Sequence, residues 1–218
     1  MKRTAALLLS VLMITFCLCS FGKKTETTNT DSTTPGEPVI KTSASAEEKA
    51  EAYGIHHVEM TVKDYGTIKL ELDGDTAPIT VENFVTLIKD GFYDGLTFHR
   101  IRAGFMAQGG APEGNGTGGS GKNIKGEFSA NGVENNISHK RGVISMARAS
   151  YSMDSASSQF FICHADSDFL DGQYAAFGHV TEGMDVIDKS CTDAKPIDNN
   201  GTIKADEQPV IETIKVID

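Results

Sequence analysis

The chain has no tryptophan, only four cysteines and only six prolines in 218 residues. It also lacks an excess of cations: 20 Lys and Arg stand against 30 Asp and Glu, a formal net charge of -10. Such a surface has little with which to neutralise phosphates, so no nucleic-acid partner is expected. The cysteines lack metal-ligand spacing and the six histidines are scattered, so neither a zinc site nor any other metal is expected. Cys163 and Cys191 read as buried free thiols, and sequence alone leaves a disulfide between them open. What the chain does have is 22 glycines and 39% hydrophobic residues, a globular composition with many turns.

The N-terminus begins Met1-Lys2-Arg3, followed by an almost wholly apolar stretch from Ala5 to Leu18. That stretch is shorter than the ~20 residues of a comfortable membrane span, and it suits the core of a signal peptide. Residues 1–22 are therefore expected to be a leader on an exported, envelope-located or secreted protein. Two processing routes compete. Cys19 or Cys17 could carry a lipid, although each follows a bulky residue, Leu18 or Phe16. Alternatively, Ser20-Phe21-Gly22 offers a small-x-small cleavage site before Lys23. Any contact with a membrane would then be through the lipid alone. Residues 23–52 are rich in Thr, Ser, Lys and Glu, too polar to fold alone, and read as a disordered tether.

Residues 53–218 carry the folded domain. Val58, Met60 and Val62 alternate, Asp64-Tyr65-Gly66 turns, and Ile68, Leu70 and Leu72 alternate again, the pattern of a hairpin with one buried face. Pro78-Ile79-Thr80 opens a helix with Thr80 as its expected N-cap, and Gly91 ends it. Further strands are expected at 142–147, 159–163, 175–180 and 210–217, with a second short helix at 183–189. Many short strands and few helices predict an all-β sandwich or barrel.

Two motifs mislead. Gly116 to Lys122 matches the start of a phosphate-binding loop, but Asn123 replaces the Ser or Thr that would hold magnesium, and no helix follows. Asp198 to Glu207 has a faint calcium-loop look, yet its first ligand position would be Pro196. Each reads better as an ordinary loop.

The informative stretch is Leu96 to Gly110: a strand, a turn at Ala103-Gly104 and a second strand. Arg100 stands between the apolar Phe98 and Ile101, where a plain barrel strand would not need a cation. Phe105, Met106 and Gln108 follow the turn. An arginine beside an aromatic ring, a thioether and an amide makes an apolar slot with one fixed donor, the usual make-up of a small-molecule or peptide site. Phe98-His99-Arg100-Ile101, Gly104-Phe105-Met106 and Gln108-Gly109-Gly110 together resemble the signature of the cyclophilins, the peptidyl-prolyl isomerases. Ser145-Met146-Ala147-Arg148-Ala149, Ser157 to Ile162, Phe169-Leu170-Asp171-Gly172 and Phe177-Gly178 extend the resemblance over about residues 55–217.

The resemblance implies a mainly β fold, a closed eight-stranded antiparallel barrel with two capping helices, acting as a monomer without a cofactor. It implies that Arg100 is catalytic and that Phe105, Met106, Phe161 and Leu170 wall a proline pocket. Gln108 would be the amide beside Arg100, and Ala147, Arg148 and Gln159 the groove for the backbone preceding proline. Three positions depart from the best-known pattern. Phe169 replaces a Trp that donates to cyclosporin, Tyr174 replaces a common His, and Arg148 replaces Asn. Weak cyclosporin binding follows, because Phe has no donor. The implied activity is cis-trans isomerisation of X-Pro bonds, helping exported chains to fold. The alternative is a proline-peptide binding module or holdase chaperone with negligible turnover. A solute-binding lipoprotein is suggested only by the N-terminus.

Overall fold

The computed structural model describes residues 53–218. The expected leader, its cysteines Cys17 and Cys19, and all of the expected tether lie outside the described residues.

The domain is mainly β. Strands β1 (Ile55–Val62) and β2 (Gly66–Asp73) form the expected hairpin, paired from Ile55↔Asp73 to Val62↔Gly66. Asp64 takes the turn with φ 65. Their alternation is visible in burial: Val58, Met60, Val62, Ile68, Leu70 and Leu72 are sealed while their neighbours are partly open. Helix α1 (Pro78–Lys89) buries Val81, Phe84, Val85 and Ile88 on one face. Then come β3 (Arg100–Arg102), β4 (Met106–Gly109), β5 (Val143–Met146), β6 (Phe160–Cys163), β7 (Ala176–Glu182), helix α2 (Met184–Asp193) and β8 (Ile211–Val216).

The start of α1 differs from expectation. Thr80 is inside the helix, and Ala77 occupies the cap position without a side-chain bond. The cap comes instead from far along the chain. Glu127, only 2% exposed, accepts the Ile79 and Thr80 N–H groups at 3.0 and 2.8 Å and the Thr80 hydroxyl at 2.7 Å. A carboxylate satisfies the orphan donors of a helix N-terminus as well as a local cap does, and its charge suits the positive end of the dipole. Sequence signals for capping are local, so this one was out of reach.

The eight strands form one antiparallel sheet in the order β3-β4-β6-β5-β7-β2-β1-β8. Its ladder is an open row with β3 and β8 at the ends. Between those ends the backbone meets at two isolated bridges, Thr97 with Val210 and Arg100 with Thr202, and Ile211 of β8 exchanges bonds with Gly95 and Leu96. The loop at 195–203 takes the place of a ladder there.

Alternation divides the short strands between two clusters. Ile101, Ala107, Ile144 and Ile162 join the main core with Phe84, Phe160 and Phe177. Their neighbours Met106, Val143, Phe161 and Cys163 join Leu170 and Ala176 in a smaller cluster on the opposite face, with Phe105, Ala147 and Tyr174 packed against it. The candidate site is built on that second face. Cys163 and Cys191 are both buried free thiols. Burial pushes Cys163 up to about 12 and Cys191 up to about 11, so both stay protonated and inert.

Candidate active site

Register places the polar groups. Arg100 on β3 lies opposite Gln108 on β4, Gln108 lies opposite Phe161 on β6, and Phe161 lies opposite Ser145 on β5. Residues directly opposite one another share a face of the sheet. One transverse row therefore carries a guanidinium, an amide, an aromatic ring and a buried hydroxyl. The turn between β3 and β4 needs Gly104, at φ 78, and its N–H donates to His164 Nδ1 at 2.8 Å.

Arg100 is fixed at both ends of its guanidinium. Nε donates to the Asn200 carbonyl at 2.8 Å and Nη1 to Gln108 Oε1 at 2.9 Å. Gln108 Nε2 donates onward to Gln159 Oε1 at 3.1 Å, and Gln159 Nε2 donates to the carbonyls of Gly116 and Gly118, both at 3.0 Å. Each amide thus has one orientation that satisfies it. The glycine loop that mimics a phosphate-binding motif supplies carbonyl acceptors here. Burial, and after it the nearby charge of Arg102, presses the Arg100 guanidinium below its usual value, opposed by Tyr174 and Asp198. Arginine remains charged even so.

Above this row lies a cavity of about 310 Å³. Arg100, Gln108, Phe105 and Met106 line one side; Phe161, Leu170, Phe169 and Tyr174 line the other, with Ala147 and Arg148 at the rim. Ten of the eleven substrate-contacting residues anticipated from sequence meet in that one space. The eleventh, Gln159, lines an adjoining groove of about 640 Å³ that shares Gln108, Ala147 and Arg148 with the cavity. Phe105 and Phe169 approach to 5.4 Å between ring centroids, and Phe169 is 66% exposed, so it forms a lip rather than a floor.

Arg148 is less free than a groove residue would be. Its Nε donates to Gln173 O at 2.9 Å and Nη1 to Ala149 O at 3.2 Å, and its Cζ lies 5.3 Å from the Phe128 ring centre and 4.9 Å from that of Tyr174. It braces the rim as much as it lines it.

Sequence reasoning missed the support behind Phe161. His139, 1% exposed, stacks on that ring at 6.0 Å and 16°. Its Nδ1 lies 2.8 Å from Asp171 Oδ1 and its Nε2 3.0 Å from Ser145 Oγ. The carboxylate only accepts, so Nδ1 carries the proton and Nε2 accepts from Ser145. Burial lowers the His139 value against the pull of Asp171, which keeps the ring neutral. The Asp-His-Ser order is that of a hydrolytic triad, but Ser145 is 0% exposed and no substrate reaches it. The group is a brace for the pocket wall. Asp171 and Ser145 fall in the sequence blocks quoted above, but nothing in their spacing to His139 signals contact.

A cavity walled largely by apolar side chains, with Arg100 fixed at its wall, Arg148 at its rim and a groove leading away, has the make-up of a ligand-binding site. Residues 57–216 match the family model described as cyclophilin type peptidyl-prolyl cis-trans isomerase/CLD, and the chain belongs to that family. It is 49% identical over 146 residues to a peptidyl-prolyl cis-trans isomerase of Helicobacter pylori, covering 63% of this chain and 86% of that one. It is 46% identical over 124 residues to peptidyl-prolyl cis-trans isomerase B of Bacillus subtilis, covering 57% and 82%. The fold matches a Cryptosporidium parvum cyclophilin type isomerase, crystallised in the presence of the dipeptide Ala-Pro, with TM-score 0.65 and 29% identity over 74% of this chain and 99% of that one.

Proposed function

We propose that Arg100 catalyses the rotation and that the 310 Å³ cavity holds the proline ring while the preceding residue turns. The observation that carries this is the fixed guanidinium at the wall of that cavity. A peptide bond resists rotation by about 18–20 kcal/mol because nitrogen shares its lone pair with the carbonyl. In the twisted state that sharing is lost and the prolyl nitrogen becomes a better acceptor. A donor aimed at it binds the twisted state better than either planar one, which is what lowers a barrier. Arg100 has a planar fork that serves nitrogen and carbonyl together, and its alignment is set before substrate arrives. Phe105, Met106, Phe161 and Leu170 exclude the water that would favour the planar amide. No bond is made or broken.

The backbone before proline would lie in the groove of Gln108, Ala147 and Gln159. The same reading takes the sheet as a closed barrel, supported by the bonds from Phe98 N–H to Pro209 O and Ile101 N–H to Gly201 O that bridge β3 to the segment before β8. It also takes the protein as a monomeric folding helper for exported chains, supported by the leader-like N-terminus, with a lipid on Cys19 or Cys17 as one outcome of processing. Mass spectrometry of the mature N-terminus decides: an intact Met1 sinks export, and a free Lys23 amine sinks the anchor. Exchange line-shape NMR on an Ala-Pro peptide tests the chemistry. Interconversion faster than the uncatalysed tens of seconds supports it. Binding without acceleration would leave a peptide-binding module.

A further inference from the structure

β3 carries two arginines, Arg100 and Arg102. Residues two apart on a strand leave the same face. Both guanidinium carbons sit by the Phe105 ring, Arg100 at 6.0 Å and Arg102 at 5.6 Å from its centre. Their donors are committed differently. Arg100 is bonded to Asn200 and Gln108. Arg102 is exposed and, among the described residues, its guanidinium has the Phe105 ring as its partner and no carboxylate.

Arg102 is also held in place. A Cβ on Gly201 would sit 2.5 Å from Arg102 Cγ, and Gly201 has φ 93, so the loop backbone lies directly against the arginine stem. That loop is tied down by Asp198. Its carboxylate accepts the N–H groups of Asn200 and Thr202 at 2.9 and 3.0 Å and the Thr202 hydroxyl at 2.8 Å. The same loop therefore aims both arginines, through the Asn200 carbonyl for Arg100 and through Gly201 for Arg102. Asp198, the acid that acts on Arg100 from this loop, has both oxygens engaged within the loop and makes no ion pair with Arg102.

Direction follows from register. Arg102 pairs with Met106, while Arg100 pairs with Gln108, where the long groove begins. The Arg102 row lies two residues, about 7 Å, nearer the hairpin turn and away from that groove. If the chain before proline fills the groove, the chain after proline leaves past Phe105 and Arg102.

We propose that Arg102 is a specificity-determining residue that selects substrates with an acidic side chain in the residue after proline. This rests on the isomerase reading of the cavity. The charge pair would form at the exposed rim, so its effect is modest: about threefold to fivefold in kcat/KM at low salt. Pre-positioning of the head against Phe105 and Gly201 lowers the ordering cost of that pair.

The test uses the full chain and acetylated, amidated peptides Ala-Ala-Pro-X-Ala with X as Glu, Gln or Lys, so that no terminal carboxylate competes. Isomerisation is measured by NMR exchange at fixed low ionic strength. The wild type should rank Glu above Gln above Lys. Arg102→Gln should bring the Glu to Gln ratio to about one, and Arg102→Glu should place Lys above Glu. Equal rates for the three peptides with wild type would overturn the selection by Arg102 alone. So would a Glu preference that survives Arg102→Gln, since it would belong to Arg100. Failure to accelerate even the Gln peptide would overturn the isomerase reading and this proposal with it.

Discussion

Arg100 Nη1 donates to Gln108 Oε1 at 2.9 Å, and that one bond sets the polarity of a chain of amides ending on the glycine loop. The arginine is aimed chiefly by Asn200 and Gln108, whereas most of the apolar wall, Phe161 and Leu170 among it, makes no bond to it. Turnover and binding should therefore come apart on mutation.

Arg100→Ala should cut the isomerisation rate constant about 10²–10³-fold, the usual loss for a fixed donor in a desolvated site. Peptide affinity should fall far less, because Phe105, Met106, Phe161 and Leu170 still hold the ring. Arg100→Lys should rescue little, since an ammonium lacks the planar fork that serves nitrogen and carbonyl together. Line-shape NMR gives both quantities from one sample. Wild-type rates in Arg100→Ala would end the catalytic assignment.

Phe169→Trp should strengthen cyclosporin inhibition about tenfold, through a donor worth about 1–3 kcal/mol in a contact that the ligand would cover. The position is an exposed lip against Phe105, so a larger ring fits without repacking the core. Titration of both forms in the Ala-Pro assay decides, and equal inhibition would show that the drug does not use this lip.

Glu127→Ala should cost about 2–3 kcal/mol, because two backbone donors at the start of α1 lose their buried acceptor. For a domain of this size that is a fall of about 5–10 °C in Tm. Glu127→Gln should lose less, since one oxygen still accepts. Calorimetry measures it. A Tm unchanged in Glu127→Ala would mean that water caps the helix instead.

These cases show where sequence stops being legible. Long half-buried strands announced themselves: β1 and β2 alternate, and their register could be written from Val58 to Leu72. The pocket residues were reachable through wording, since Arg100, Phe105, Gln108 and Phe161 sit in blocks that match a family. β5 and β6 were legible as strands but not as two-faced ones. All four residues in each are buried, so no exposed residue marks which side meets the core and which the site, and the one polar residue among them, Ser145, is sealed as well. Contacts between distant loops left no signal at all. Glu127 capping α1, His139 behind Phe161 and Gly201 against Arg102 each join segments whose approach only the fold decides. The stretch from Asp198 to Glu207 reads as an ordinary loop, whereas Asp198 organises the backbone that steadies Arg100.

His99 makes the last expectation, on pH. It is 3% exposed, its Nδ1 has no hydrogen-bond partner, and burial, followed by the Arg100 charge, lowers its value from 6.5 to about 4. Protonation would put a second N–H into a space without an acceptor. A histidine with a folded value below its unfolded one takes up a proton on unfolding, so the unfolded state gains as pH falls. Stability from this source is intact above about pH 6.5 and is lost progressively down to about pH 4, by at most about 3 kcal/mol. His139 is lowered too and adds in the same direction. Urea unfolding at steps from pH 7.5 to 4 should show this decline, and His99→Gln should flatten it. The His99 ring resonances, followed by NMR in the wild type, should stay those of the neutral form down to about pH 5. A midpoint near 6.5 for that ring would remove His99 as the cause, whatever the variant does.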